Sequence, residues 1–145
     1  MSHSYTICLG ADHAGFQLKE SLKRHLINVG YIVDDVSPEY HDGDDYPAIA
    51  REVVKRVVKG DRGILVCDSG AGMSIAANRF KGIRAVTCYS EFMARHARTD
   101  NDSNILCLGQ KTTPASSAKK IVDIWLATPF SKAARHKRRI KQLDV

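Results

Sequence analysis

Gly63-Ile64-Leu65-Val66-Cys67-Asp68-Ser69-Gly70-Ala71-Gly72-Met73-Ser74-Ile75-Ala76-Ala77-Asn78 is the stretch from which the fold can be read. Ile64 to Val66 form a short apolar run rich in β-formers. Asp68 to Gly72 are small or polar, with two glycines. Met73 to Asn78 carry alanines and apolar residues at helical spacing. The order predicts a buried strand, a tight turn and a helix start. Cys67 falls where the strand ends. Just beyond it lie backbone N–H groups that a beginning helix leaves unpaired, a cradle for an oxyanion or a phosphate. A cysteine base or nucleophile beside such a cradle is the most specific chemistry in the chain. A merely structural cysteine is the alternative.

Outward from this stretch the same alternation repeats. Towards the N-terminus, Tyr5-Thr6-Ile7-Cys8-Leu9-Gly10-Ala11 reads as a strand and Asp12-His13-Ala14-Gly15 as the turn after it. Phe16, Leu18, Leu22, Leu26 and Ile27 make a helical stripe that stops at Val29-Gly30. Tyr31-Ile32-Val33-Asp34 is a second strand, followed by an acidic loop over residues 37–45. Residues 47–59 form a helix with Ile49, Val53, Val54, Val57 and Val58 on one side. Towards the C-terminus, Ile83-Arg84-Ala85-Val86-Thr87-Cys88 is a fourth strand. Ser90 caps a helix without a capping box, because Met93 occupies the third position. Ile105-Leu106-Cys107-Leu108-Gly109 is a fifth strand. Pro114 opens a helix that Pro129 ends, and residues 132–143 form a last, basic helix.

Five strands alternating with helices predict a parallel sheet covered on both faces by right-handed crossovers. This is a Rossmann-like three-layer α/β/α sandwich with strand order 2-1-3-4-5 and an extra basic C-terminal helix. In that order the topological switch point lies between strands 1 and 3. It brings Asp12-His13 beside Cys67 to Gly72. At 145 residues the chain fits one domain, 1–145.

The net charge of +6 is local: residues 131–145 carry six basic side chains against Asp144, and the remainder is nearly neutral. No nucleic-acid motif accompanies them, no run reaches membrane-spanning length and no signal peptide opens the chain, so a cytoplasmic protein acting on neither nucleic acid nor membrane is expected. The last helix has few apolar residues (Ala133, Ala134, Ile140, Leu143), and packing on a partner subunit is expected of it. Arg135 and Arg139 are four apart, on one face, in position to fork around a phosphate; a solvated basic face is the plainer alternative. The cysteines at 8, 67, 88 and 107 make neither a zinc pattern nor a disulfide framework. Cys8, Cys88 and Cys107 read as small buried hydrophobes. Around Cys67, a tyrosine phosphatase loop fails because residue 73 is Met, a dithiol site because residue 70 is Gly, and a P-loop or dinucleotide fingerprint for want of their residues.

Taken together, Asp12-His13-Ala14-Gly15, Asp45-Tyr46-Pro47, Cys67 through Asn78, Gly82-Ile83-Arg84-Ala85, Asn101-Asp102-Ser103-Asn104 and Arg135-His136 resemble the type B ribose-5-phosphate isomerases, a family that includes galactose-6-phosphate isomerase subunits. The resemblance spans nearly the whole chain. It implies an isomerase of ribose 5-phosphate and ribulose 5-phosphate, in pentose phosphate chemistry, that uses no metal and no cofactor. It implies a homodimer or tetramer with active sites between subunits. It gives Cys67 the proton transfer between C2 and C1. Asp68, Ser69, Gly70, Ala71 and Gly72 hold the enediolate and sugar oxygens. Asp12, His13 and Asn101 contact the substrate, with His13 meeting a phosphate or a sugar oxygen; Tyr46 lines the pocket, and Arg135 and Arg139 hold the phosphate. Helix-end N–H groups are expected to bring a cysteine pKa of about 8.5 nearer to working pH.

Three positions depart from the family pattern. Asp68 stands where Gly is common. Asp100 stands where a ring-opening His is common, with His96 and His13 as substitutes for that duty. Lys111 replaces a common Arg, keeping the charge but not the fork. Alternatives follow from these departures: an isomerase for another aldose phosphate, or a non-catalytic phosphosugar-binding or partner subunit.

Overall fold

The computed structural model describes residues 3–144; Met1, Ser2 and Val145, which the expected domain includes, lie outside the described residues. Five parallel strands, β1 (Ile7–Ala11), β2 (Val33–Asp35), β3 (Arg62–Cys67), β4 (Ala85–Thr87) and β5 (Ile105–Gly109), alternate with α1 (Phe16–Asn28), α2 (Tyr46–Val57), α3 (Ala71–Ala77), α4 (Glu91–Thr99) and α5 (Ala115–Ala127), and α6 (Ala134–Lys141) closes the chain.

β1, β5 and all but the first residue of β3 are buried, as expected of strands covered on both faces. Their side chains alternate between two cores. Ile7, Leu9, Ile64, Val66, Leu106 and Leu108 meet Leu18, Leu22 and Leu26 of α1, Ala94 and Ala97 of α4, and Ile121, Val122 and Trp125 of α5. Cys8, Leu65, Cys67, Ile105 and Cys107 meet Ala50, Val53, Val54 and Val57 of α2 and Met73 and Ala77 of α3. Ile27 does not join the α1 stripe. It is exposed, because it lies about 100° around the helix from Leu26.

The strand order is β2-β1-β3-β5-β4, not the expected 2-1-3-4-5. Right-handed crossovers account for the difference. α2 and α3 lie on one face and α1, α4 and α5 on the other. Moves across the sheet with α2 and α3 therefore run one way, and those with α1 and α4 run back. The chain passes from β3 over a vacant place to β4, then returns by α4 to fill that place with β5. Burial agrees: β5 is buried throughout, whereas Val86 and Thr87 of β4 are half-buried, as on an edge. The reversal between β1 and β3 is unaffected.

Several elements are shorter than the sequence predicts. β1 omits Tyr5 and Thr6, β4 omits Ile83, Arg84 and Cys88, and α6 omits both ends of the expected 132–143. Tyr31 and Ile32 fall outside β2, although Ile32 O still accepts Ile7 N–H at 2.9 Å.

Candidate active site

Two turns meet at the carboxyl ends of β1 and β3, where Ala11 pairs with Val66. In the first turn Asp12 is 5% exposed, and its Oδ1 accepts the N–H groups of Ala14 and Gly15, each at 3.1 Å. Burial pushes the Asp12 carboxyl above its ordinary value, against the pull of the Gly15 N–H and the neighbouring His13. A Cβ on Gly15 would lie 2.3 Å from Val66 O, so only glycine lets this turn rest on the end of β3. His13 is anchored by Asp44, whose Oδ1 accepts its backbone N–H at 2.7 Å and lies 3.1 Å from Nδ1.

The second turn carries Cys67. Its side chain points to the α2–α3 face and is 5% exposed, and Gly70 N–H donates to Sγ at 3.2 Å. Gly70 reaches this geometry with φ of 86°. The turn is braced from three sides. Thr87 Oγ1 donates to Gly70 O at 3.1 Å, Tyr89 OH to Ser69 O at 3.0 Å, and Lys111 N–H to Asp68 O at 3.0 Å. Ala71 N–H donates to Ser69 Oγ at 3.3 Å and Ser74 N–H closes the helix on Gly70 O. The N–H groups of Gly72 and Met73 are left without partners among the described residues. Tyr46 at the start of α2 lies over this turn: a Cβ on Gly72 would come within 2.8 Å of its ring.

Asp12, His13, Ala14, Asp68, Gln110 and Lys111 line a cleft of about 500 Å³. Asp68 points into it, with Oδ1 3.6 Å from Lys111 Nζ, so the departure beside Cys67 carries its own counter-ion. Gln110 Oε1 accepts Leu18 N–H and ties α1 to the cleft. The other three cysteines are closed to thiolate chemistry: burial pushes Cys8 and Cys88 up to about 12, and Cys107 well above its ordinary value. Among the described residues, no three His, Cys, Asp or Glu side chains converge to hold a metal ion.

The remaining expected site residues are elsewhere. Asp100 and Asn101 follow α4, and Arg84 Nε donates to Asn101 O at 3.1 Å. Arg84 directly precedes β4, whose first residue pairs with Ile105, the first of β5. Cys67 pairs with Gly109, four residues further along β5, which is about 13 Å along the strand. The two groups thus occupy opposite ends of the sheet. Arg135 and Arg139 are exposed on α6 and make no ion pair among the described residues. Near them is a feature sequence reasoning missed: His136 is buried, with Nδ1 2.7 Å from Ser131 Oγ and Nε2 3.8 Å from Asp100 Oδ1. His96 Nδ1 bonds Phe92 O in its own helix. Asp44 was also missed; it is 31 residues from His13, and no local spacing signals the contact.

Residues 7–143 match the sequence model of the family described as Ribose/Galactose Isomerase. The chain belongs to that family. Ribose-5-phosphate isomerase B of Escherichia coli (strain K12) is 40% identical over 141 residues, 96% of this chain and 94% of that protein. Ribose-5-phosphate isomerase B of Mycobacterium tuberculosis (strain ATCC 25618 / H37Rv) is 39% identical over 137 residues, 92% and 85% of the two chains. A crystal structure of a ribose 5-phosphate isomerase from Thermotoga maritima superposes with a TM-score of 0.94 at 44% identity, covering 98% of this chain and 99% of that one. Membership of the ribose/galactose isomerase family makes the chain an isomerase acting in sugar chemistry. No helix among the described residues is long and apolar enough to cross a membrane.

Proposed function

We propose that the chain is a cytoplasmic type B ribose-5-phosphate isomerase that works by proton transfer at Cys67, folded as a single domain and needing no cofactor. The observation that carries the mechanism is the seat of Cys67: at the switch point, beside the buried Asp12, with helix-start N–H groups next to it. In the open-chain aldose phosphate the Cys67 thiolate takes the C2 proton. The C2–H electron pair becomes the C1=C2 bond, and the carbonyl π pair moves onto O1. Gly72 and Met73 N–H are placed to donate to oxygens of this enediolate. Return of the proton to C1, with transfer of the O2 proton to O1, gives the ketose and restores the thiolate. Asp12, Tyr46, Ser69, Gly70, Ala71 and Gly72 bind the sugar around it, and His13 meets the phosphate or a sugar oxygen.

Arg135, Arg139, Asn101 and Asp100 complete the site only if a second chain supplies them, because within one chain they lie at the other end of the sheet. A homodimer, alone or within a tetramer, with the amino ends of one sheet facing the carboxyl ends of the other, meets that requirement. Exposed Phe92 and Ile75 (65% and 63%) provide apolar area for such an interface. A preference for another aldose phosphate is the second reading, favoured by the Asp68–Lys111 pair inside the cleft.

The test is ribose 5-phosphate in deuterated water without added metal, followed by proton NMR. Formation of ribulose 5-phosphate with solvent exchange at the transferred position is expected, and Cys67→Ala should abolish it while phosphate binding persists. Retained exchange in that variant would place the base elsewhere.

A further inference from the structure

The Asp44 contact with His13 has a chemical consequence. Nδ1 of His13 faces only acceptors on Asp44, Oδ1 at 3.1 Å and the carbonyl O at 3.3 Å. A neutral ring in this setting keeps its hydrogen on Nδ1. Nε2 has no partner among the described residues, and the ring, 39% exposed, lines the cleft. Asp44 N–H donates to His41 O at 3.4 Å, and the loop that carries Asp44 is anchored where it leaves β2. Ser37 Oγ accepts Ala11 N–H at 2.9 Å and Asp35 Oδ1 accepts Ser37 N–H at 3.0 Å. Lys19, fully buried, donates to Asp35 Oδ2 and Ser37 O, each at 2.8 Å, and Lys23 donates to Asp35 Oδ2 at 3.0 Å. The loop then passes directly into α2 at Tyr46.

We propose that Asp44 is a positioning residue of this isomerase: it fixes the orientation and tautomer of His13 and aims Nε2 at the phosphate group of the substrate. The proposal rests on the reading of this cleft as the substrate site. The charged groups facing His13 are Asp12 from its own turn, Asp44 from the loop over residues 37–45, Asp68 from the β3–α3 turn and Lys111 from the β5–α5 turn. Asp44 and Asp12 favour the imidazolium, whereas Asp68 is turned to Lys111. The His13 pKa is raised, first by the Asp44 hydrogen bond and further by Asp12. The cationic donor is therefore present below that raised value and lost as pH climbs through it. Affinity for a phosphate dianion falls over the same range.

Asp44→Asn tests this, because it keeps an oxygen for the His13 backbone N–H and removes the charge. Imidazole 15N NMR of the free wild-type protein should show Nδ1 protonated in the neutral form, and the variant should titrate at lower pH. KM for ribose 5-phosphate and Kd for inorganic phosphate should both rise about five- to tenfold near neutral pH, the size of one charge-assisted hydrogen bond, while kcat stays within about twofold. Asp44→Glu should recover part of the loss. An Nε2–H tautomer in the wild type overturns the proposal, even if the variant does not fold. A lowered titration with unchanged KM and phosphate Kd overturns it too. The NMR and phosphate-binding arms need no turnover, so a protein inactive on ribose 5-phosphate would sink the isomerase reading without touching the role of Asp44.

Discussion

At the scale of single residues, glycines allow the reacting turn to exist and the polar groups then tune it. Gly70 stands at φ of 86°, and an added Cβ would lie 2.9 Å from the Thr87 methyl and 3.1 Å from the Leu108 carbonyl carbon. Gly70→Ala is expected to cost about 2 kcal/mol in urea unfolding, through left-handed backbone strain and this contact. It should also misplace the N–H that reaches Cys67 Sγ, lowering kcat more than it raises KM. A variant as stable and as active as the wild type would show that the turn has slack. The importance of Cys67, Gly70 and Gly72 is legible in the sequence, since a cysteine at a strand end followed by glycines is a local pattern. The partnership of His13 with Asp44 is not, because it is made by a loop that folds back across the sheet edge.

At the scale of elements, β1, β2 and α1 are joined by a buried ion pair that hydrophobic patterning does not reveal. Lys19 shares the buried side of α1 with Leu18, Leu22 and Leu26, and is satisfied by Asp35, Glu20 and Ser37 O. Burial raises the Asp35 carboxyl, but hydrogen bonds from Lys19, Lys23 and the Ser37 N–H outweigh it and hold its pKa below the ordinary value. Its contribution to stability is therefore full above an unfolded pKa of about 3.9 and is lost as pH falls through the lower folded value. Asp35→Asn leaves the Lys19 charge without its buried partner and is expected to cost about 3 kcal/mol at neutral pH. The deficit relative to wild type should shrink in acid below that range, as followed by circular dichroism. A deficit that stays constant down to acid unfolding would count against the pair. The helix stripes and the all-apolar strands were readable from periodicity, and the misplaced Ile27 shows its limit: adjacency to a stripe is not membership of it. The shortened ends of β1 and β4 arise where the apolar run continues after the strand pairing has stopped, and α6 starts late because Lys132, at φ of 59°, has a left-handed rather than a helical backbone.

At the scale of the whole molecule, the sheet separates two sets of reactive groups. Cys67, Asp12 and His13 lie at its carboxyl end, and Asn101 with Arg84 at its amino end. Shared sites in a dimer predict a specific result when two inactive proteins are mixed. Cys67→Ala and Arg135→Ala/Arg139→Ala should each lose most activity. After subunit exchange the mixed dimer carries one site with a native set from both chains and one site with both defects. Activity should recover to about a quarter of the wild-type value at equal mixing, since roughly half of randomly exchanged dimers are mixed. No recovery, in dimers shown by mass spectrometry to have exchanged, would mean that each site is built within one chain.

The sequence by itself determined the class of the fold, the seat of Cys67, the turn of Asp12 and His13, and the family, because each of these depends on local order: apolar period, glycine placement and contiguous motifs. The tertiary structure decided what depends on residues far apart. It placed β5 inside β4, because α4 packs with α1 and α5 and right-handed crossovers then carry the chain back. It paired Asp68 with Lys111 and His13 with Asp44, since the ends of parallel strands bring distant loops together. It set Asn101 one strand length from Cys67, a distance fixed by the rise of β5 and invisible to any reading of motifs in a line.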